Sequence, residues 1–305
     1  MKKASTQQEF SLHKPSDNRP WFEGWYYRLT DKDISLAVII GIQQDEHKAA
    51  SAFIQILDTL RHRSDYHSFS MDEVHISKQP YTIHIGPHSF SREHLRLQFP
   101  DIHCDLTCSN FFPLQVSRYA PTIMGPFSYL DSMQCVHSII SLYHDVVGSL
   151  RINDTAYQIR GRGYMEKDRG SSFPSSYVWF QSNTSKEVYS SFFLSIAHIP
   201  LSTISFKGCI CVLMIEGKQL RFASYLGCRV RKIKHKNIWI LNQYPYKVYV
   251  KITQGKGCTL KAPEEGAMSH EIQETLEACA LVHVYKYHKK IHEITFTHGG
   301  YECRK

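Results

Sequence analysis

Apolar residues recur at every second position through most of this chain, and a period of two excludes a helical protein. Ile34-Ser35-Leu36-Ala37-Val38-Ile39-Ile40, Ala52-Phe53-Ile54-Gln55-Ile56-Leu57 and Tyr81-Thr82-Ile83-His84-Ile85 read as strands, because successive strand side chains point to opposite faces. Residues 190–199, 209–215, 238–241 and 246–252 continue the pattern. Short polar breaks such as Glu216-Gly217-Lys218 and Lys234-His235-Lys236-Asn237 separate these runs. Many short strands at this spacing predict an all-β sandwich or barrel. Helical composition is confined to residues 263–282, where propensity favours a short helix around residues 269–277.

At 305 residues the chain exceeds what one hydrophobic core ordinarily serves, so two domains are expected. A Gly-aromatic strand start at Gly24-Trp25-Tyr26-Tyr27 is echoed near mid-chain by Gly163-Tyr164-Met165-Glu166. Each half then has the length of one eight-stranded barrel wide enough for a small ligand. These lengths predict two antiparallel β-barrel domains packed together, residues 1–160 and 161–305, with few short helices.

No run of about 18 apolar residues occurs, so no helix is expected to span a bilayer. The stretch from Met1 to Glu9 is basic and then polar, which predicts no secretory signal. The nine cysteines, an odd number, stand mostly inside apolar strand patterns, as Cys209, Cys211 and Cys279 do. That placement predicts free buried thiols in a reducing cytoplasm. No Cys-x-x-Cys, His-x-His or Glu-x-x-His pattern appears among the 18 histidines and nine cysteines, so no metal is expected. The net charge of +8 is densest in Arg229-Val230-Arg231-Lys232-Ile233-Lys234-His235-Lys236. Because that run alternates apolar with basic residues, it predicts a solvated strand face with weak attraction to an anionic membrane surface. A nucleic-acid interface would interleave stacking aromatics and is not expected. Gly161-Arg162-Gly163 and Gly255-Lys256-Gly257 lack the following helix of a nucleotide loop.

Four segments carry a more specific pattern. The first is Arg19-Pro20-Trp21-Phe22-Glu23-Gly24-Trp25-Tyr26-Tyr27. The second is Pro121-Thr122-Ile123-Met124-Gly125-Pro126-Phe127-Ser128-Tyr129, continuing through Cys135-Val136-His137-Ser138 to Val147-Gly148-Ser149-Leu150. The third is Gly163-Tyr164-Met165-Glu166-Lys167-Asp168-Arg169-Gly170-Ser171-Ser172-Phe173-Pro174, closing with Trp179-Phe180-Gln181-Ser182-Asn183. The fourth is Leu260-Lys261-Ala262-Pro263, followed by Glu274-Thr275-Leu276. In order and spacing these segments resemble the tocopherol cyclase family over nearly the whole chain, with a departure at Arg169, where the family's step carries tryptophan. The resemblance implies two lipocalin-like barrels around an apolar ligand such as a prenyl quinol, a polyene or a lipid, related to carotenoid hydratases. It also implies a reaction without metal or organic cofactor. A prenyl double bond is protonated, and the neighbouring phenol oxygen closes onto the tertiary cation.

Protonating an alkene takes a carboxylic acid that keeps its proton at neutral pH, which burial achieves. Glu166 and Asp168 fall on one strand face and are the expected catalytic pair, each raising the other's pKa. The same stretch also reads as an ion-pair turn at a strand end. Glu23, in an aromatic strand, needs a partner if buried, such as Arg19 or Arg160, or else orients the ligand. Trp25, Tyr27, Tyr164, Tyr177 and Trp179 read as an aromatic wall or as core. Gln181 and Asn183 alternate toward one interior, where amides could orient a phenol. His137 reads as a proton relay or as a satisfied structural histidine. The alternative to an enzyme is a non-catalytic carrier of a lipid or quinone. A protein-interaction module would instead require filled barrels and an exposed apolar patch in place of a cavity.

Overall fold

The computed structural model describes residues 10–15, 19–130, 133–201 and 204–304, so the stretch from Met1 to Glu9 lies outside the described residues. Strands dominate, and they form two large antiparallel sheets. In the eleven-stranded sheet, Trp21–Asp31 pairs with Ile34–Gln44 on one side and with Thr155–Gly170 on the other, so the first strand closes against the last. The order then runs back through Cys135–Ile152 and Ile102–Phe112 to an edge at Val74–Lys78. The ten-stranded sheet repeats this plan: Tyr177–Ser182 pairs with Ser191–Leu201 and with the final strand, Lys289–Arg304. Beyond that strand, Ala267–Lys286 and Tyr246–Thr253 lead toward an edge at Arg229–Ile233.

Each sheet curls around its own core. Trp25, Tyr27, Ile40 and Phe90 fill the first, and Phe180, Phe192, Phe222 and Phe296 fill the second. A third core lies between the sheets, where Tyr26, Ile139 and Tyr164 meet Trp179, Phe193 and Ile272. Strands serving two cores are buried on both faces. Residues 52–57 and 209–215 therefore read as near-continuous apolar runs instead of clean alternation.

Two expectations need correction. Residues 269–277 form part of the strand Ala267–Lys286, not a helix. Pairing with Cys258–Glu264 on one side and Lys289–Arg304 on the other satisfies its backbone, and burial of Met268, Ile272, Glu274 and Leu276 outweighs helical propensity. The division expected at residue 160 falls inside Thr155–Gly170, so Gly163-Tyr164 belongs to the first sheet and the chain crosses over between Gly170 and Tyr177. The basic run supplies an edge strand with Arg229 and Arg231 exposed, and charge on an edge discourages pairing with other chains. All nine cysteines are free.

Thr155–Gly170 divides its side chains between two environments. Met165 and Lys167 point into the first core, while Glu166 and Asp168 point between the sheets. Lys167 is fully buried, with Nζ 2.8 Å from Glu23 Oε1 and donating to the Ser11 carbonyl at 2.9 Å. His13 N donates to Glu23 Oε2 at 2.7 Å. Burial pushes the Glu23 carboxyl up, but the Lys167 charge and the hydrogen bonds from His13 and Lys167 prevail and hold it below its ordinary range. The cation beside Glu23 is thus a lysine, in place of the arginine expected. Residues 10–13 seal this core: Phe10 packs on Trp25, Tyr27 and Tyr81, and Trp25 Nε1 donates to its carbonyl at 2.8 Å. Glu23→Gln strands a buried ammonium and is expected to cost about 3–5 kcal/mol of stability, read as the urea midpoint at pH 7. An unchanged midpoint would remove this pair from the account of the fold.

Candidate active site

The cavity lies between the two sheets, which corrects the expectation of a pocket inside a barrel; both barrel interiors are filled by their own side chains. It offers about 1270 Å³ of free space, counted to its open mouth. Phe22, Phe53, Phe173, Trp179 and Phe206 wall it, and Met124, Phe127 and Met133 come from the connection between Ile102–Phe112 and Cys135–Ile152. Its polar lining includes His137, Glu166, Asp168 and Glu302.

Sheet register brings these groups together. His137 stands opposite Asp168, Tyr26 opposite Glu166, and Glu274 opposite Glu302. Each of three glutamates, Glu166 and Glu274 buried and Glu302 half-buried, accepts a hydrogen bond from a tyrosine. Tyr164 Oη donates to Glu166 Oε2 at 2.5 Å, Tyr26 Oη to Glu274 Oε1 at 2.6 Å, and Tyr177 Oη to Glu302 Oε2 at 2.7 Å. Burial pushes all three phenols well above their ordinary pKa, so they stay protonated and remain donors. His137 Nδ1 lies 2.8 Å from Asp168 Oδ1. Its Nε2 lies 3.4 Å from Glu166 Oε2, close enough for an ion pair but without hydrogen-bond alignment. The ring stacks on Phe193 at 5.0 Å and 17°, which fixes its orientation.

Glu166, Asp168, Glu274 and Glu302 are gathered with two cationic groups, His137 and Arg28. Four carboxylates, two buried and two half-buried, against two cations would leave uncompensated charge, so part of the cluster keeps its protons. Burial and the charge of Asp168 push Glu166 up to about 8, against the pull of His137. Burial pushes Glu302 up to about 7, with the Tyr177 hydrogen bond opposing and Asp168 reinforcing. Glu274 rises well above the carboxylate range through burial and the charge of Glu302. For His137 burial acts downward, but Asp168 and Glu166 outweigh it and push the imidazole up to about 9. His137 Nε2, Glu274 Oε2, Gln181 Nε2, Arg28 Nε and Trp179 Nε1 have no hydrogen-bond partner among the described residues.

The residues expected from sequence divide clearly. Glu166, Asp168, His137, Trp179 and Tyr177 line the cavity, and Tyr164 holds Glu166 from behind. Glu166 is only 4% exposed, so the stretch around it is no surface ion-pair turn. Trp25 and Tyr27 face the opposite side of their strand and pack in the first core, with Tyr27 Oη donating to the Ser91 carbonyl at 3.0 Å. Glu23 is in that core as well. Gln181 Oε1 accepts from Arg28 Nη1 at 2.6 Å, and Asn183 Nδ2 donates to the Gly163 carbonyl at 2.7 Å, so these amides brace the two sheets. Gly163 is needed there, because a Cβ would sit 2.1 Å from His144 Nε2. Tyr26 and Glu274 fall in the first and fourth family-like segments but were given no site role from sequence, and Arg28 and Glu302 were not singled out.

His137, Glu166 and Asp168 also present ligand atoms within 4.8 Å of one another, as a metal site would require. The Nδ1 bond to Asp168 and the charges of Asp168 and Glu166 favour a protonated imidazole at this position.

No protein-family model and no curated protein sequence matches the chain. Solved structures do match. A candidate AttH from Nitrosomonas europaea is similar with TM-score 0.55 and 9% identity, covering 98% of this chain and 96% of that one. CghA is similar with TM-score 0.54 and 9% identity, covering 93% of this chain and 88% of its own. CghA with Sch210972 gives TM-score 0.53 at 10% identity over the same shares. At such identities the fold is what is shared: an all-β protein built from lipocalin-like barrels.

The raised carboxyls set a pH dependence. Folded Glu166 holds its proton to about pH 8, whereas an unfolded glutamate releases it near about pH 4.3. Its contribution is therefore complete below the unfolded value and lost as pH rises through the folded one. Stability is expected to fall between about pH 5 and 8, by up to about 1.4 kcal/mol per unit for one proton. Glu166→Gln should flatten that fall in urea titrations at stepped pH. An identical slope in the variant would mean that Glu166 is not the proton holder.

Proposed function

We propose that this protein is an acid-initiated cyclase or hydratase acting on an apolar, prenylated quinol-type substrate held between the barrels. One observation carries the reading: a buried carboxyl, Glu166, whose pKa is pushed up by burial, opens onto an aromatic-walled apolar cavity. Such an acid can do what bulk water at neutral pH cannot. The Glu166 carboxyl gives its proton to one alkene carbon, leaving a tertiary cation at the other. The ring faces of Trp179, Tyr177 and Phe173 stabilise that cation. The phenol oxygen then forms the new C–O bond, and its proton returns to the Glu166 carboxylate directly or through His137, which Asp168 orients. Where water reaches the cation in place of the phenol, the product is an alcohol. No electrons are exchanged, so the residues suffice without a cofactor.

Arg169, which stands where the resembling family carries tryptophan, is not among the cavity-lining residues. The four-segment resemblance to tocopherol cyclases supports the reaction class. The structure of CghA with Sch210972 supports ligand uptake by a protein of this architecture. A carrier of a lipid or quinone is the second reading, favoured by the largely apolar lining. Incubation with a prenylated hydroquinone, followed by mass spectrometry of the extract, separates the two. The enzyme reading expects a chromanol or alcohol, and a loss of about 10²–10⁴-fold in Glu166→Gln with ligand binding retained. Binding by both proteins with turnover by neither would establish the carrier.

A further inference from the structure

Two hairpin tips of the second sheet stand side by side. Tyr244-Pro245 joins Ile238–Gln243 to Tyr246–Thr253, and Tyr287-His288 joins Ala267–Lys286 to Lys289–Arg304. Tyr287 N donates to the Pro245 carbonyl at 3.1 Å, which ties the tips together. Tyr244 is 89% exposed and Tyr287 61%, their rings edge to face at 5.9 Å. Behind them Tyr249 and Tyr285 form a second edge-to-face pair at 5.5 Å. A shallow groove there is also lined by Arg229, Tyr246 and Lys247, and no carboxylate lines it among the described residues. Lys247 Nζ sits 5.3 Å from the Tyr249 ring, and Lys286 Nζ sits 5.6 Å from Tyr246 and 5.9 Å from Tyr287.

We propose that these tips dock the protein on an anionic lipid surface, with Tyr244 and Tyr287 at headgroup level and Arg229, Lys247 and Lys286 against lipid phosphates. Tyrosine suits that boundary because its ring is apolar and its hydroxyl is wet. The lysines supply charge complementarity to anionic headgroups. A protein interface would be depleted in lysine, and a single-stranded nucleic acid would use aromatics laid along a groove, whereas here the most exposed rings are at projecting tips. Position adds to this. Ser224 and Tyr225 line the cavity, Leu226 is 48% exposed, and Gly227 and Arg229 line the tyrosine groove. One short turn thus joins the docking surface to the chamber that holds an apolar ligand.

The test is flotation with vesicles of neutral phosphatidylcholine, with and without phosphatidylserine, a readout independent of turnover. Binding is expected only to the anionic vesicles and should weaken as salt is raised. Lys247→Gln with Lys286→Gln is expected to weaken it about twenty-five-fold, at roughly fivefold per charge. Tyr244→Ser with Tyr287→Asn should also release the protein, and circular dichroism would confirm that the exposed tips tolerate the changes. Lys48→Gln, on an exposed turn of the first sheet, serves as the control and should bind as the parent does. Absence of vesicle binding, binding indifferent to the tip variants, or preference for a single-stranded oligonucleotide over vesicles would each overturn the proposal.

Discussion

Carboxyl groups removed from water between two sheets set the terms for everything around them. The buried Glu166 and Glu274 stand beside the half-buried Asp168 and Glu302, and the cations placed among them, His137 and Arg28, cannot neutralise four negative charges. Protons fill the difference, and tyrosine hydroxyls supply the directional bonds that make the burial tolerable. The first-to-last closure used by both sheets brings the parts together. It places Trp21–Asp31 and Thr155–Gly170 back to back with Tyr177–Ser182 and Lys289–Arg304, so Tyr26 meets Glu274 across most of the chain's length.

Aromatic rings do different work on the two faces of these strands. Within the first core, Trp25 and Tyr27 pack against Phe10, and Trp25 covers the buried Lys167. On the outer face Tyr26 holds a glutamate and meets Trp179 edge to face at 5.5 Å. Filling both barrels leaves the space between them as the cavity of this structure.

Alternation made the strands legible, and the strand parity of Glu166 and Asp168 made their shared face legible too. The side of the sheet that faces the cavity was not, because Trp25 and Tyr26 are equally aromatic and both are buried. Glu274 was obscured by a stretch, Glu271-Ile272-Gln273-Glu274-Thr275-Leu276-Glu277, whose local preference is helical and whose strand form depends on neighbours far away in sequence. For Glu302 a hint existed in Gly299-Gly300. A Cβ on Gly300 would lie 2.7 Å from the Trp179 ring, and glycine inside a strand marks such a close approach. Lys167 carried no comparable hint, since its partner Glu23 is paired to it only by the fold.

Thr155–Gly170 runs in unbroken register with Trp21–Asp31 from Phe22 opposite Gly170 to Thr30 opposite Arg162. Along it, acid and ammonium occupy alternate positions and face different interiors. A shift of one residue would turn Lys167 toward the cavity and bury Glu166 among the side chains of the first barrel. Insertions and deletions in this strand therefore divide by parity. An even change keeps every side chain on its own side, while an odd one inverts the chamber's charge and strips the first barrel of its ammonium in a single event.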